Sequence, residues 1–458
     1  MEPKKASYPL AVPYPCLIID ATWRDVLSSM KYLTRSDNHR DESISNLSRT
    51  WNPANQPNRF ILPCLCVRSA FDLFLQAQNY PPDSELIMTA INIPQMKEIA
   101  EIHGLTVVPL DVTSETLAPK LNILQELIND KTVAVLLAHI YGRWSAIDDA
   151  IDICKEHNLT VLEDCAQAFC GLKKVGHPKA DLSLFSFGSI KTSTAFGGAI
   201  VRIRDRSLFQ KMNLLHNRYL IQSRTAYFKK ILNCFLGIVG LNSPLRMKFL
   251  LNVFQMMGWD HHKLVISMLR AFPMSDLKLL RLQPSTALLG MMLRRFQNFD
   301  EKKFEDGIKK CDYVTNRLPK DAKIVGKKAE IRNYWLFPLI VDDPERVLKE
   351  LNRRGIDGYR GATQLTCLKP RPCLEPHPNS PDVDHSISSP PIEAQYISDH
   401  VIYLPVHKKV TYDYLEKICV ILEDVMREIT SCSLTKNIET DGEITMFENE
   451  RVKTQSKL

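Results

Sequence analysis

The stretch that decides the fold is VLEDCAQAFCGLKKVGHPKADLSLFSFGSIKTSTAFGGAI, residues 161–200. An apolar β-run, TVLE, leads into Asp164, and Gln167 follows three residues later. A second run, LSLFSF, ends near Ser186 and Phe187. Lys191 lies five residues past Ser186 in a loop of small residues, and a further strand begins after Gly197-Gly198. A carboxylate, an amide, a hydroxyl and an amine therefore fall at strand carboxyl ends or just beyond. In an open α/β sheet that edge is where ligands bind. Singly, each residue has a plain structural reading: Lys191 as a solvated surface lysine, Asp164 as a strand-end cap, Gln167 as a helix-surface amide. Their joint spacing points to a site.

These groups suit pyridoxal phosphate. An amine is needed to form the Schiff base. A carboxylate keeps the pyridine nitrogen protonated, so that the ring can act as an electron sink. Hydroxyl and backbone N–H groups are needed for the phosphate.

Outward from this stretch, residues 60–203 alternate short apolar runs (ELIMTAI, LTVVPLDV, TVAVLLAHI, LTVLEDC, LSLFSF, GGAIVRI) with amphipathic segments such as AFDLFLQAQNY, IPQMKEIAEIHG and AIDDAIDICKEHN. Strands alternating with helices predict βαβ units and a mainly parallel sheet. Residues 300–430 return to mixed α/β, with a helix near 300–317, a strand around YWLFPLIV, a helix around PERVLKELNRRG and a final helix around TYDYLEKICVILEDVMREI. The expected architecture is α/β: a three-layer large domain over 60–299 and a smaller C-terminal α/β domain over 300–430. At the N-terminus (1–59), CLIIDA predicts a short strand, TWRDVLSSMKYL a helix, and the polar stretch 35–59 a long loop. The tail 431–458 is polar and aperiodic, and is expected to be disordered.

The chain has 458 residues, 59 Lys+Arg against 52 Asp+Glu, and net charge +7. Ordinary globular composition excludes a wholly disordered chain, a collagen-like repeat and a small disulfide scaffold. The charge is localised: residues 221–281 hold nine basic residues and two acids, an excess equal to that of the whole chain. This Met-, Leu- and Phe-rich helical insertion (about 221–280) has two readings. One is a helical lid or oligomer contact; the other is an interfacial helix giving peripheral membrane contact. A nucleic-acid partner is not expected, because no stacking platform or known module accompanies the charge. No apolar stretch is long enough to span a bilayer. The twelve irregularly spaced cysteines lack a C-x-x-C pair, and the N-terminus lacks a secretory signal, so reduced thiols in the cytoplasm are expected. Cys165 and Cys170 read as packing residues. No metal site is expected: His261-His262 are adjacent on a helix, and His377, Asp382, Asp384 and His385 lack ligand spacing.

The run EDCAQA…G…ADLSLFSF-x3-K…GGA resembles the DegT/StrS-type sugar aminotransferases, which are fold-type I pyridoxal-phosphate enzymes. Flanking stretches extend the resemblance over roughly 60–430: VRSAFDLFLQA (67–77), AHIYGRWSAID (138–148), LRLQPSTALLGMMLRRFQNFDE (280–301) and IYLPVHKKVT (402–411). It implies that Lys191 is the internal-aldimine lysine, that Asp164 partners the pyridine nitrogen, that Gln167 approaches the ring hydroxyl and that Ser186 binds the phosphate. Arg68 and Ser69 would occupy the phosphate-binding turn, where a helix N-terminus favours an anion. His139 and Tyr141 fall at a strand end where they could shape the substrate site; His139 could equally be a satisfied core histidine. A homodimer is implied, as is transfer of an amine from an amino acid to a keto-sugar, nucleotide-linked in the favoured form. Lys191 argues against the family's dehydratases, which lack the lysine. The sequence departs from the family at Ile93, where a ring-stacking aromatic is expected, and at Leu279-Leu280, where an Asn reaches the partner's phosphate. Those departures and the basic insertion motivate an alternative: a catalytically degenerate relative serving as a binding or scaffold protein, in one form at a membrane surface.

Overall fold

The computed structural model describes residues 12–429, apart from 55, 242, 244, 247–248, 250–252, 254–255, 258–276, 321, 334, 362–363 and 371–389. The tail 431–458, His261-His262 and the His377–His385 loop lie outside the described residues.

The main sheet has seven strands: β1 (Phe60–Cys64), β2 (Glu85–Thr89), β3 (Thr106–Leu110), β4 (Thr132–Ala138), β5 (Thr160–Asp164), β6 (Leu182–Ser186) and β7 (Ala199–Ile203). Their spatial order is β1-β7-β6-β5-β4-β2-β3. β7 is antiparallel to both its neighbours, and the other pairs are parallel. A sheet covered on both faces demands near-continuous apolar runs, which is how these strands read. The register brings the chemistry to one edge. Asp164 pairs with Ala138 and with Leu184, while Ala199 pairs with Ser186 and with Cys64. The parallel strands end on that edge, and β7 begins there.

The N-terminal third departs from the sequence expectation twice. CLIIDA forms no strand; residues 16–20 run without regular structure. Their partners are loop and small-domain groups: the Cys16 N–H donates to Asp357 Oδ2 at 2.7 Å, and Asp20 Oδ1 pairs with Lys408 Nζ at 2.5 Å. The expected helix is present as α1 (Trp23–Leu33), started by a Thr22/Asp25 capping box. The expected loop 35–59 instead contains α2 (Arg40–Thr50). Its polar composition hides a narrow stripe of Ser43, Ile44 and Leu47, continued by Trp51, and tertiary packing overrides weak local preference. Trp51 is fully buried, with its ring 4.9 Å from Phe185 and 5.2 Å from Phe296.

α3 (Val67–Gln78) follows β1 and is capped at its start by the Cys66 sulfur, which accepts from the Ser69 N–H at 3.5 Å. It is buried nearly all round, so its own Asp72 needs partners: Arg281 donates to both oxygens at 3.0 Å and His103 lies at 2.9 Å. Within the insertion, α4 (Arg224–Leu241) turns Tyr227, Ile231 and Cys234 inward. α5 (Thr286–Gln297), capped by Ser285, packs against α1 and α2. The smaller unit builds an antiparallel sheet from β8 (Lys323–Ile324), β9 (Phe337–Ile340) and β10 (Val401–Leu404) in the order β8-β9-β10. Helices Glu301–Arg317, Pro344–Arg353 and 412–429 cover it, matching the elements expected there. No helix among the described residues is long and apolar enough to cross a membrane.

Candidate active site

Asp164 ends β5 and is 7% exposed. One carboxylate oxygen accepts from the Ala166 N–H at 2.9 Å, and no described residue donates to the other. Burial pushes its pKa up, against the Ala166 N–H and the nearby Lys191 charge, which favour the anion. Such a carboxylate gains from an added cation or donor.

Lys191 sits half-buried in the loop after β6. Its Nζ lies 4.0 Å from the centroid of the Trp335 ring. The indole is held in turn by Nε1 donating to the Ile190 carbonyl at 2.7 Å. Burial brings the Lys191 amine down to about 8, with the Asp164 charge pulling the other way. The amine thus reaches its neutral, nucleophilic form far closer to physiological pH than an exposed lysine does. It faces a cleft bordered by Cys16, Asp20, Thr192, Asn333 and Lys408.

Gln167 is buried, and its Oε1 accepts from the Tyr141 N–H at 2.9 Å, which fixes the amide and leaves Nε2 as the available donor. Tyr141 takes φ +56° and Gly142 φ +76° in the turn after β4. A Cβ on Gly142 would lie 2.1 Å from Asn333 Oδ1 and 2.3 Å from the Trp335 backbone nitrogen, so only glycine lets the turn seat against Asn333 and Trp335. The Tyr141 ring itself packs 5.6 Å from Tyr403, away from solvent.

At the phosphate turn the residues divide. Ser186 is partly exposed at the end of β6, and its hydroxyl has no hydrogen-bond partner among the described residues. Arg68 stands in the first turn of α3 and bonds Gln95. The Ser69 hydroxyl is turned into the core, donating to the Leu280 carbonyl at 2.6 Å, so Ser69 offers the edge its backbone position.

His139 takes the core-histidine alternative. It bonds Glu163 Oε1 and Ser145 Oγ, each at 3.1 Å. Glu163 and Asp164 are adjacent on a strand and so point to opposite faces, which places the imidazole behind the sheet edge from Asp164. Glu163 also accepts from Ser183 Oγ at 2.6 Å and the His177 N–H at 2.7 Å. His139, Glu163 and Cys165 bring their ligand-type atoms within 4.8 Å of one another, all buried, in a knot that hydrogen bonds already satisfy. Burial pushes the Cys165 thiol up and Cys170 to about 11, as inert packing cysteines require. Ile93 caps the helix Pro94–Ile102 from the edge of the core, and Leu279 is 39% exposed.

Two participants escaped the sequence reading. Trp335 falls in a stretch whose pattern predicts only a strand, and its aromatic ring before an apolar run is the one signal the sequence offers. Lys230, on α4, is half-buried, with its ammonium 3.9 Å from where a Cβ on Gly197 would stand. It comes from the insertion, whose readings as a lid, an oligomer contact or a membrane helix name no site residue.

The sheet order, with candidate residues gathered at one edge of it, defines an open α/β architecture with a mainly parallel sheet. Over residues 66–248 the chain matches the model of the DegT/DnrJ/EryC1/StrS aminotransferase family. It is similar to GDP-perosamine synthase of Escherichia coli O157:H7, 30% identical over 145 residues, covering 31% of this chain and 40% of that one. It is also similar to GDP-perosamine synthase of Caulobacter vibrioides, 27% identical over 224 residues, covering 45% and 57%. The alignments thus span about half or less of those relatives' lengths. In fold it is similar to NtdA of Bacillus subtilis, solved with bound cofactor PMP: TM-score 0.61, 16% identity, covering 93% of this chain and 87% of that one. The family resemblance carried by residues 161–200 and the α/β fold class are therefore borne out.

Proposed function

We propose that the chain is a pyridoxal-phosphate-dependent aminotransferase that carries an amino group from an amino acid to a nucleotide-linked keto-sugar. The observation that carries the reading is the pairing, at one sheet edge, of a half-buried amine held near neutrality with a buried carboxylate that has an open oxygen. Bound there, the cofactor supplies an electrophilic carbonyl and an electron-withdrawing ring. The residues present fit it. Lys191 offers the nucleophilic amine and, once released, a base of suitable pKa to hold and move the substrate Cα proton. Asp164 offers its open oxygen to a protonated ring nitrogen, the cation that its buried charge favours. Gln167 presents a fixed amide donor, and Ser186 with the α3 N-terminus presents donors for a phosphate. Trp335 keeps the Lys191 ammonium over an aromatic face.

The relatives' names support the nucleotide-sugar substrate, and the family segment 66–248 contains both Asp164 and Lys191. Homodimerisation belongs to the same proposal. So does peripheral membrane contact, for which the support is the outward row Phe228, Leu232, Phe235 and Leu236 of α4, each between 36% and 49% exposed. The test is amino transfer by the purified chain with pyridoxal phosphate, glutamate or glutamine, and a panel of nucleotide-linked keto-sugars. An amino-sugar product that disappears in Lys191→Ala is expected. No transfer to any acceptor by cofactor-loaded protein would leave the degenerate scaffold as the better account.

A further inference from the structure

The inner face of α4 is fastened to the loop that carries Lys191. The Tyr227 hydroxyl donates to the Ala195 carbonyl at 2.8 Å. One and two turns on, Lys230 reaches Gly197 and Cys234 approaches the Ser189 hydroxyl. Gly197 is itself held to the end of β6, its N–H donating to the Phe187 carbonyl at 3.1 Å, and the Gly198 N–H reaches Leu65 at 3.0 Å. Lys230 therefore delivers its ammonium between the end of β6, with Ser186, and the first turn of α3. Its electrostatic neighbours there are the Cys66 sulfur and the Arg68 guanidinium.

From this convergence we infer that Lys230 binds the phosphate of the cofactor, supplied by the chain's own insertion beside Arg68 and the α3 N-terminus. The inference rests on the cofactor reading above and extends it. Two cationic side chains and the N–H end of a twelve-residue helix meet at one place, which is charge complementarity for a dianion. Lys230 is half-buried on the helix face that also carries the fully buried Tyr227, so much of its carbon chain is shielded while its ammonium reaches the edge. Burial and the Arg68 charge draw the ammonium down to about 8; a bound phosphate would raise it again. The insertion thereby becomes part of the site, covering its phosphate end.

The experiment is equilibrium titration of the full-length protein with pyridoxal phosphate and, separately, with pyridoxal. Wild type, Lys230→Met and Lys230→Arg are compared by quenching of tryptophan fluorescence. Lys230→Met should bind pyridoxal phosphate about ten- to a hundredfold more weakly, as loss of one charge-assisted hydrogen bond predicts. Pyridoxal should bind it as it binds wild type, and Lys230→Arg should recover most of the loss. Unchanged pyridoxal-phosphate binding in Lys230→Met overturns the inference. So does equal weakening toward both ligands, which would mark a structural role. If wild type binds neither ligand, the cofactor reading falls first and takes this inference with it.

Discussion

At Lys191 two effects oppose each other, and burial wins. Desolvation lowers the amine to about 8 although Asp164 favours the charged form. Borohydride trapping of pyridoxal phosphate on this lysine should therefore rise with pH through about 8 and level off above it, where an exposed lysine would still be climbing; a rate-against-pH series checks this. The sign for stability is the same. A lysine lowered on folding disfavours the folded state while charged, so that Lys191→Met should raise the thermal midpoint at pH 6–7 and lose its advantage above about pH 10. Asp164→Asn keeps the shape and removes the charge; kcat should fall by about 10²–10⁴-fold with the fold intact by circular dichroism. The sequence showed these residues because their types and spacing carry the chemistry. It could not show Trp335, whose contact with Lys191 spans 144 positions and exists only through the fold.

At the scale of elements, strands were legible and the N-terminal elements were not. A strand buried on both faces announces itself as an apolar run, whereas α2 offers only a few inward residues in a polar helix. Its weight in the core is testable: Leu47, fully buried, cut to Ala should cost about 2–5 kcal/mol in denaturant unfolding. CLIIDA failed as a strand for the opposite reason. Cys16 and Ile19 are buried by packing, the Cys16 backbone N–H donates to Asp357, and none of the described strands pairs with the segment. The turn at Gly142 links elements to function. Gly142→Ala should displace Asn333 and Trp335, lowering kcat more than it lowers the melting temperature, and paired activity and melting curves separate the two effects.

Over the whole molecule, the basic excess looked like one feature and is several. Arg224 pairs with Asp37 at 3.3 Å, Arg281 pairs with Asp72, and Lys230 is turned to the sheet edge. Charge counting found the segment but could not divide it, because the partners lie elsewhere in the chain. Asp72 illustrates the global cost. Burial opposes its charge, yet His103 and Arg281 hold its carboxyl below the ordinary carboxylate range. Its stabilising contribution is present above the unfolded aspartate pKa and is lost as pH falls through the lower folded value. Arg281→Ala should cost about 2–3 kcal/mol at neutral pH, short of the fully buried range because Arg281 is about one-third exposed, and the deficit should shrink in acid as Asp72 protonates.

The central claim is that Lys191 is a cofactor-binding amine facing Asp164. The most direct measurement is a visible absorption spectrum of the purified chain with pyridoxal phosphate, before and after borohydride, followed by mass mapping of the labelled peptide, beside Lys191→Ala. The account predicts a yellow band that borohydride bleaches, a mass added at Lys191, and neither in the variant. A colourless wild-type protein, or label on other lysines with Lys191 unmodified, would contradict it.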